Sequence, residues 1–320
     1  MLATLPPLDE DLLVRLFRKG ARVQWTSADF DWESPPALAD RQRRALARLL
    51  SPVFLGEQTA MLGAASQMQE MARRGEATAQ LYLASFIMDE ARHFEALYRL
   101  YRHLGHDPVR VRELPDMLRY HHRLRQGDRL DWVWGILISD VFARHFYHWM
   151  ARHRPEAVVG LMAQRIAVDE GRHQAFAEEY LRRALPQLDS SRRRALVAMK
   201  DELVRLMESM YRALREDADL LGLDARALLD AFLEDLESRV RRLGLHHNPS
   251  APPSGPTPAP RLRAGGKATA DGPNPGAAAP APPTGPAARG GCGSCLLAVL
   301  CALRASVSPR PPAPAPAPAG

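Results

Sequence analysis

Apolar residues recur at three- and four-residue intervals through most of the span 40–243, and strict polar–apolar alternation is nearly absent. That period marks helices that bury one face. It predicts long helices over 40–74, 77–104, 130–153 and 156–185, a short one over 115–125, and two more over 190–221 and 224–243. Gly75 and Gly105 stand where helices stop, because glycine accepts the left-handed backbone that ends them. Pro155 and Pro186 end the third and fourth long helices. Pro52 lies inside the first. Following Ser51, it either starts a new helix or kinks a single long one. The fold class expected is all-α, with four long core helices and smaller ones added.

Composition changes this picture at the C-terminal end. Of the 27 prolines, 18 lie at or after Pro249, mixed with alanine and glycine. Such a stretch cannot bury enough apolar surface to offset its ordering entropy. The chain therefore divides into a folded domain, 1–247, and a disordered tail, 248–320. All three cysteines (Cys292, Cys295, Cys301) fall in the tail, so no disulfide framework holds the domain. The apolar run 296–303 is far too short to span a membrane. Asp9, Glu10 and Asp11 interrupt any apolar run near the N-terminus, so no secretory leader is expected. These features point to a cytoplasmic protein with no membrane span. The net charge of +6 is spread along the helices, with Arg41, Arg43, Arg44 and Arg192 to Arg194 read as solvated faces. No nucleic-acid partner is expected from that distribution.

Chemistry enters with a repeated word. Asp89-Glu90-Ala91-Arg92-His93 recurs as Asp169-Glu170-Gly171-Arg172-His173. Residues three apart share a helix face, so each copy aims one carboxylate and one imidazole at a common point. Two such helices, with one acid from each of two others, make a dimetal site in a carboxylate bundle. On the first long helix the acid is Glu57, a lone charge in an apolar run. On the third it is Asp140, isolated among Trp, Ile, Leu and Val. A charge in such surroundings is costly unless paired or bound to metal. Oxygen and imidazole ligands suit iron or manganese. Six ligands shared by two ions leave positions open for O2 and a substrate. Metal-binding histidines normally donate their second N–H to a carboxylate. Asp89 is expected to serve His173 in this way, and Asp169 to serve His93. His145 and His148 are one helical turn apart but lack a matching pair, and are read as solvated or satisfied. Phe54, Met61, Phe86, Trp134 and Phe142 either line a dry pocket or are plain core.

With these residues in place the chain resembles the ribonucleotide reductase small-subunit superfamily of ferritin-like proteins, nearest to the small-subunit-like ligand-binding oxidases. The likeness runs from Arg15-Leu16-Phe17-Arg18-Lys19-Gly20 through Trp25, Asp29-Phe30-Asp31-Trp32, Gly56-Glu57 and both repeated words, over about 15–185. It implies a ferritin-like four-helix bundle, usually a homodimer, holding Fe/Fe or Mn/Fe. It also implies O2 activation beside an apolar, long-chain fatty-acid-like ligand. Several positions depart from the family pattern. Leu97 stands where reductase subunits usually carry a radical tyrosine, and the last tyrosine is Tyr211. The oxidases' Val–Tyr cross-link falls on Ala60 and Leu130. The family's third-helix glutamate falls on Gly135, five residues before Asp140. Either Asp140 replaces it on a shifted helix or the site lacks one ligand. Three functions follow: a dimetal oxidase, a non-catalytic metal- or lipid-binding protein, or a ribonucleotide reductase small subunit.

Overall fold

The computed structural model describes residues 8 and 11–245. The proline-rich stretch, its three cysteines and the apolar run 296–303 lie outside the described residues. The described part is all helical: α1 Leu12–Arg22, α2 Asp40–Arg73, α3 Ala77–Leu104, α4 Pro115–Gln126, α5 Arg129–His153, α6 Ala157–Ala184, α7 Ser190–Ala213, α8 Arg215–Leu220 and α9 Ala225–Arg242.

The core is two helical hairpins. Gly75, at φ 72°, reverses the chain between α2 and α3. Arg154, also left-handed, followed by Pro155, reverses it between α5 and α6. Short connections make the members of each pair neighbours. They pack closely, and α3 meets α6 across the bundle. Asp128 and Asp131 cap the start of α5 reciprocally. That device satisfies N–H groups the first turn leaves without partners. The segment 105–114 and α4 carry the chain from one hairpin to the other. The smaller helices cover exposed flanks: α1 lies on α3 and α6, α4 and α9 meet α5, and α8 meets α2.

Of the two readings of Pro52 the structure has the single long helix: α2 runs unbroken through it, with the Ser51 hydroxyl donating to the Ala47 carbonyl at 2.9 Å. Two differences from the expected elements have physical causes. The span expected as one helix over 190–221 breaks at Leu214. That break lets Leu214 and Ala218 bury while α8 packs on α2. The N-terminal helix α1, absent from the expected elements, starts where Asp11 accepts from the Leu13 N–H at 2.7 Å. Leu13 and Val14 then bury against the bundle.

The four core helices share one layering. Leu46 to Leu50 of α2, Leu97 to Leu104 of α3, Phe146 to Met150 of α5 and Val158 to Ile166 of α6 build one apolar cluster. Ala64 and Met71, Ala79 to Phe86, Leu130 to Val141, and Phe176 to Leu181 build another. Burying each large side chain contributes about 1.5–3 kcal/mol, so both ends of the bundle are firmly packed. Between them lies a polar layer: Glu57, Asp89, Glu90, His93, Asp140, Asp169, Glu170, Arg172 and His173, all buried.

Candidate metal centre

Each long helix passes through the polar layer once and delivers its functional residues there. Two groups form. Glu57, Glu90 and His93 each present an atom within 4.8 Å of the others, and Asp140, Glu170 and His173 do the same. Glu90 and Glu170 face both histidines. His93 Nδ1 lies 3.7 Å from Glu90 and 3.9 Å from Glu170, and His173 Nδ1 lies 3.2 Å from Glu90 and 3.6 Å from Glu170. The structure thus brings all six sequence-nominated residues together.

The Gly135 question is answered by packing. A Cβ on Gly135 falls 2.0 Å from Leu124 Cδ2 of α4, and the Gly135 carbonyl accepts from Tyr120 Oη at 2.9 Å. That face of α5 is the contact with α4, and a side chain there would have to displace Leu124. Asp140, five residues on and so rotated by about 140°, is the α5 residue that meets Glu170 and His173.

Behind the histidines the two aspartates cross the bundle. His173 Nε2 lies 3.3 Å from Asp89 Oδ2, and His93 Nε2 lies 3.2 Å from Asp169 Oδ2. Each contact leaves Nδ1 facing the carboxylates. Trp25 Nε1 also donates to Asp169 Oδ2, at 2.8 Å, and its indole stacks on His93 with ring centroids 6.0 Å apart. Phe86 lies against His173 at 4.3 Å. Of the other pocket candidates, Trp134 turns to α7 and donates to the Leu196 carbonyl. Phe54 stacks on Phe94, and Phe142 packs against Tyr211 and Phe232. These are core contacts, so Trp134, Phe54 and Phe142 do not join Phe86 in one lining. His145 faces Asp235 at 3.3 Å.

The roles of three residues were not read from the sequence. Tyr147 Oη donates to Glu57 Oε1 at 2.8 Å. Arg92 and Arg172, the fourth letter of each repeated word, both reach Asp89 and Asp169. Their recurrence in both copies was the available signal. Tyr147 carried none, because the distance between α5 and α2 is not encoded in local spacing.

Among the protein groups alone, burial sets the electrostatics of the layer. Burial opposes ionisation of Glu57, but hydrogen bonding from Glu90 and the nearby His93 hold its carboxyl down to about 2. Burial, with repulsion from Glu57, pushes Glu90 well above the usual carboxylate range. Burial also raises Asp140, assisted by Glu170, and raises Glu170 itself. Burial disfavours cationic His93 and His173, yet the surrounding carboxylates outweigh it and raise both. Asp89 and Asp169 are held low, against burial, by the histidines and Arg172.

A helical bundle with two facing Glu-x-x-His groups and an acid from each remaining core helix has the form of the dimetal carboxylate bundles. No protein-family model matches the chain, and no curated protein matches its sequence. Solved structures do. One variant of an R2-like ligand-binding oxidase with an aerobically reconstituted Mn/Fe cofactor is 18% identical with a TM-score of 0.66; the match covers 74% of this chain and 98% of that one. Another variant of such an oxidase, with an anaerobically reconstituted Mn/Fe cofactor, is 19% identical with a TM-score of 0.63, over 74% and 95% of the two chains. A further structure, an R2-like ligand-binding oxidase with an aerobically reconstituted Mn/Fe cofactor after a long soak, is 19% identical with a TM-score of 0.62, over 73% and 93%. The shared property is the fold: this chain has the ferritin-like bundle of those proteins.

Proposed function

We propose that this chain is a dimetal oxidoreductase that activates O2 with Fe/Fe or Mn/Fe and oxidises an apolar, fatty-acid-like substrate. The observation that carries the reading is the unmatched chemistry of the polar layer. Asp140 Oδ2, Glu170 Oε2 and His173 Nδ1 are buried and have no hydrogen-bond partner in the protein. Such atoms are rare in folded proteins, and leaving one unpaired costs about 1–3 kcal/mol. Three of them converging with a carboxylate–imidazole donor set fit a hard or borderline cation such as iron or manganese.

In this reading Glu57, Glu90 and His93 hold one ion and Asp140, Glu170 and His173 the other, with Glu90 and Glu170 placed to serve both. Asp89 and Asp169 keep each histidine's Nε2 proton and so direct Nδ1 into the layer. When bound, the two ions supply O2 activation by changing oxidation state. The chain's own work is to hold this geometry and exclude water. Trp25 and Phe86 cover the histidines, and the two apolar clusters close the layer from both ends. An apolar substrate and a homodimer belong to the proposal by resemblance, and a cytoplasmic location by the placement of all three cysteines in the proline-rich stretch. Among the described residues, no helix is long and apolar enough to cross a membrane.

The test is aerobic loading with iron, manganese or both, followed by metal quantification and optical spectroscopy. About two ions per chain (one for each acid–histidine group) and an absorption change on O2 addition are expected. Fewer than about one ion per chain with no optical change would falsify the reading. Two ions with no optical change would favour the non-catalytic alternative.

A further inference from the structure

We propose that Arg172, with Arg92, is a positioning residue that couples the two halves of the metal centre, so that the two ions load as a pair. The proposal rests on the dimetal reading above. Arg172 Nη2 donates to Asp89 Oδ2 at 2.8 Å and lies 2.6 Å from Asp169 Oδ1. Arg92 Nη2 reaches the same two acids, Asp89 Oδ1 at 2.5 Å and Asp169 Oδ2 at 3.1 Å. Asp89 holds His173 of α6, and Asp169 holds His93 of α3. Each acid therefore belongs to one helix and serves the histidine of the other, while both acids share both guanidinium groups. An imidazole drawn toward an ion moves its aspartate. The shared arginines pass that constraint to the second aspartate and so to the second imidazole.

The arrangement is costly as a purely structural device. Arg172 is 3% exposed, yet its Nε and Nη1 have no hydrogen-bond partner. The α1 backbone closes over it: a Cβ on Gly20 falls 3.5 Å from Arg172 Nε. Apolar residues in place of a buried ion network are often neutral or stabilising. A charge kept here at that cost is explained by what it joins. Lysine cannot replace it, because a single ammonium lacks the planar fork that meets two carboxylates at once.

The experiment uses the full chain freed of metal and titrated with Mn(II) alone, with bound ions counted per molecule by native mass spectrometry. For the native chain at half occupancy, chains with two ions or none should outnumber what independent sites allow. In Arg172→Lys, at matched total occupancy, the ratio of two-ion to one-ion chains should fall by about 5-fold or more, the low end of typical site coupling. A role in stability alone would change total binding or melting temperature but leave that ratio intact. Arg92→Lys, at the less buried edge, gives the same measurement should Arg172→Lys lose its helical circular dichroism. Independent filling of the native chain, or an unchanged ratio in the folded variant, overturns the coupling. A native chain that takes up no Mn(II) or iron removes the dimetal reading itself, a separate outcome.

Discussion

The two halves of the polar layer are alike in sequence and unlike in their internal bonding. In the Glu57 half, Glu57 accepts from Tyr147 at 2.8 Å and meets His93 at 3.3 Å. In the Asp140 half, one atom of each of Asp140, Glu170 and His173 is left without a hydrogen-bond partner. The first half satisfies itself, and an ion entering it must displace existing contacts. The second has ion-pair contacts, His173 Nδ1 lying 3.2 Å from Glu90 and 3.6 Å from Glu170, but leaves those three atoms without a hydrogen bond, so a cation gains more there. A repeated word thus produces two inequivalent sites, and the difference comes from what α2 and α5 contribute opposite it.

The largest expected effect comes from removing an acid from one half. Asp140→Ala should leave about one ion per chain, held by the other half, and Glu57→Ala should leave about one in the Asp140 half. Elemental analysis of each variant after loading checks this. The loading is done at saturating metal, where the moderate coupling of the halves still leaves the intact one filled; loss of both ions there would show that neither half holds an ion without the other. Next are the acids behind the histidines. Asp169→Asn should weaken metal binding by about 10–100-fold, the usual range for such partners. Asp89→Asn should cost less, because Asp169 additionally fixes Trp25. Competition with a chelator measures both; equal losses would remove this asymmetry.

Tyr147→Phe is smaller and acts first on one half. It takes the hydroxyl from Glu57 Oε1 and should destabilise the metal-free protein by about 1–3 kcal/mol, the cost of an unpaired buried acceptor. Denaturant unfolding gives the value. Because the halves are coupled, part of any affinity change reaches the Asp140 half; a loss there larger than in the Glu57 half would contradict the assignment of Tyr147 to Glu57. The smallest effect is in pH. Glu90, Asp140, Glu170 and both histidines are all raised by their surroundings. A raised group contributes stability below its unfolded value and loses it as pH rises through its folded value. The metal-free protein should therefore lose this contribution above the ordinary carboxylate and histidine ranges, while ion binding, which expels those protons, strengthens. The gap in melting temperature between loaded and metal-free protein should widen from pH 6 to 8; a gap that narrows contradicts the assignment.

Much of this centre is legible in the chain because it depends on local spacing. Helical periodicity placed the long helices and left open only whether Pro52 divides the first; the break at Leu214 was not legible. An i,i+3 pair lies on one face whatever the helix packs against, so Glu90 with His93 and Glu170 with His173 are local facts. Two isolated acids in apolar runs were also readable, since an unpaired buried charge is expensive. The choice between Gly135 and Asp140 was not, because it depends on how α5 rotates against α4 and α6.

By itself, then, the sequence determined the helical class, the layer of the bundle at which charge concentrates, and the four ligand candidates of the repeated word. Tertiary structure decided which acid of α5 joins them, that Tyr147 meets Glu57, and that Arg92 and Arg172 span both aspartates. The physical reason is that covalent geometry and the helical repeat set positions within a helix. Distances between helices follow from axial stagger and rotation, which settle only when both apolar clusters pack around the polar layer.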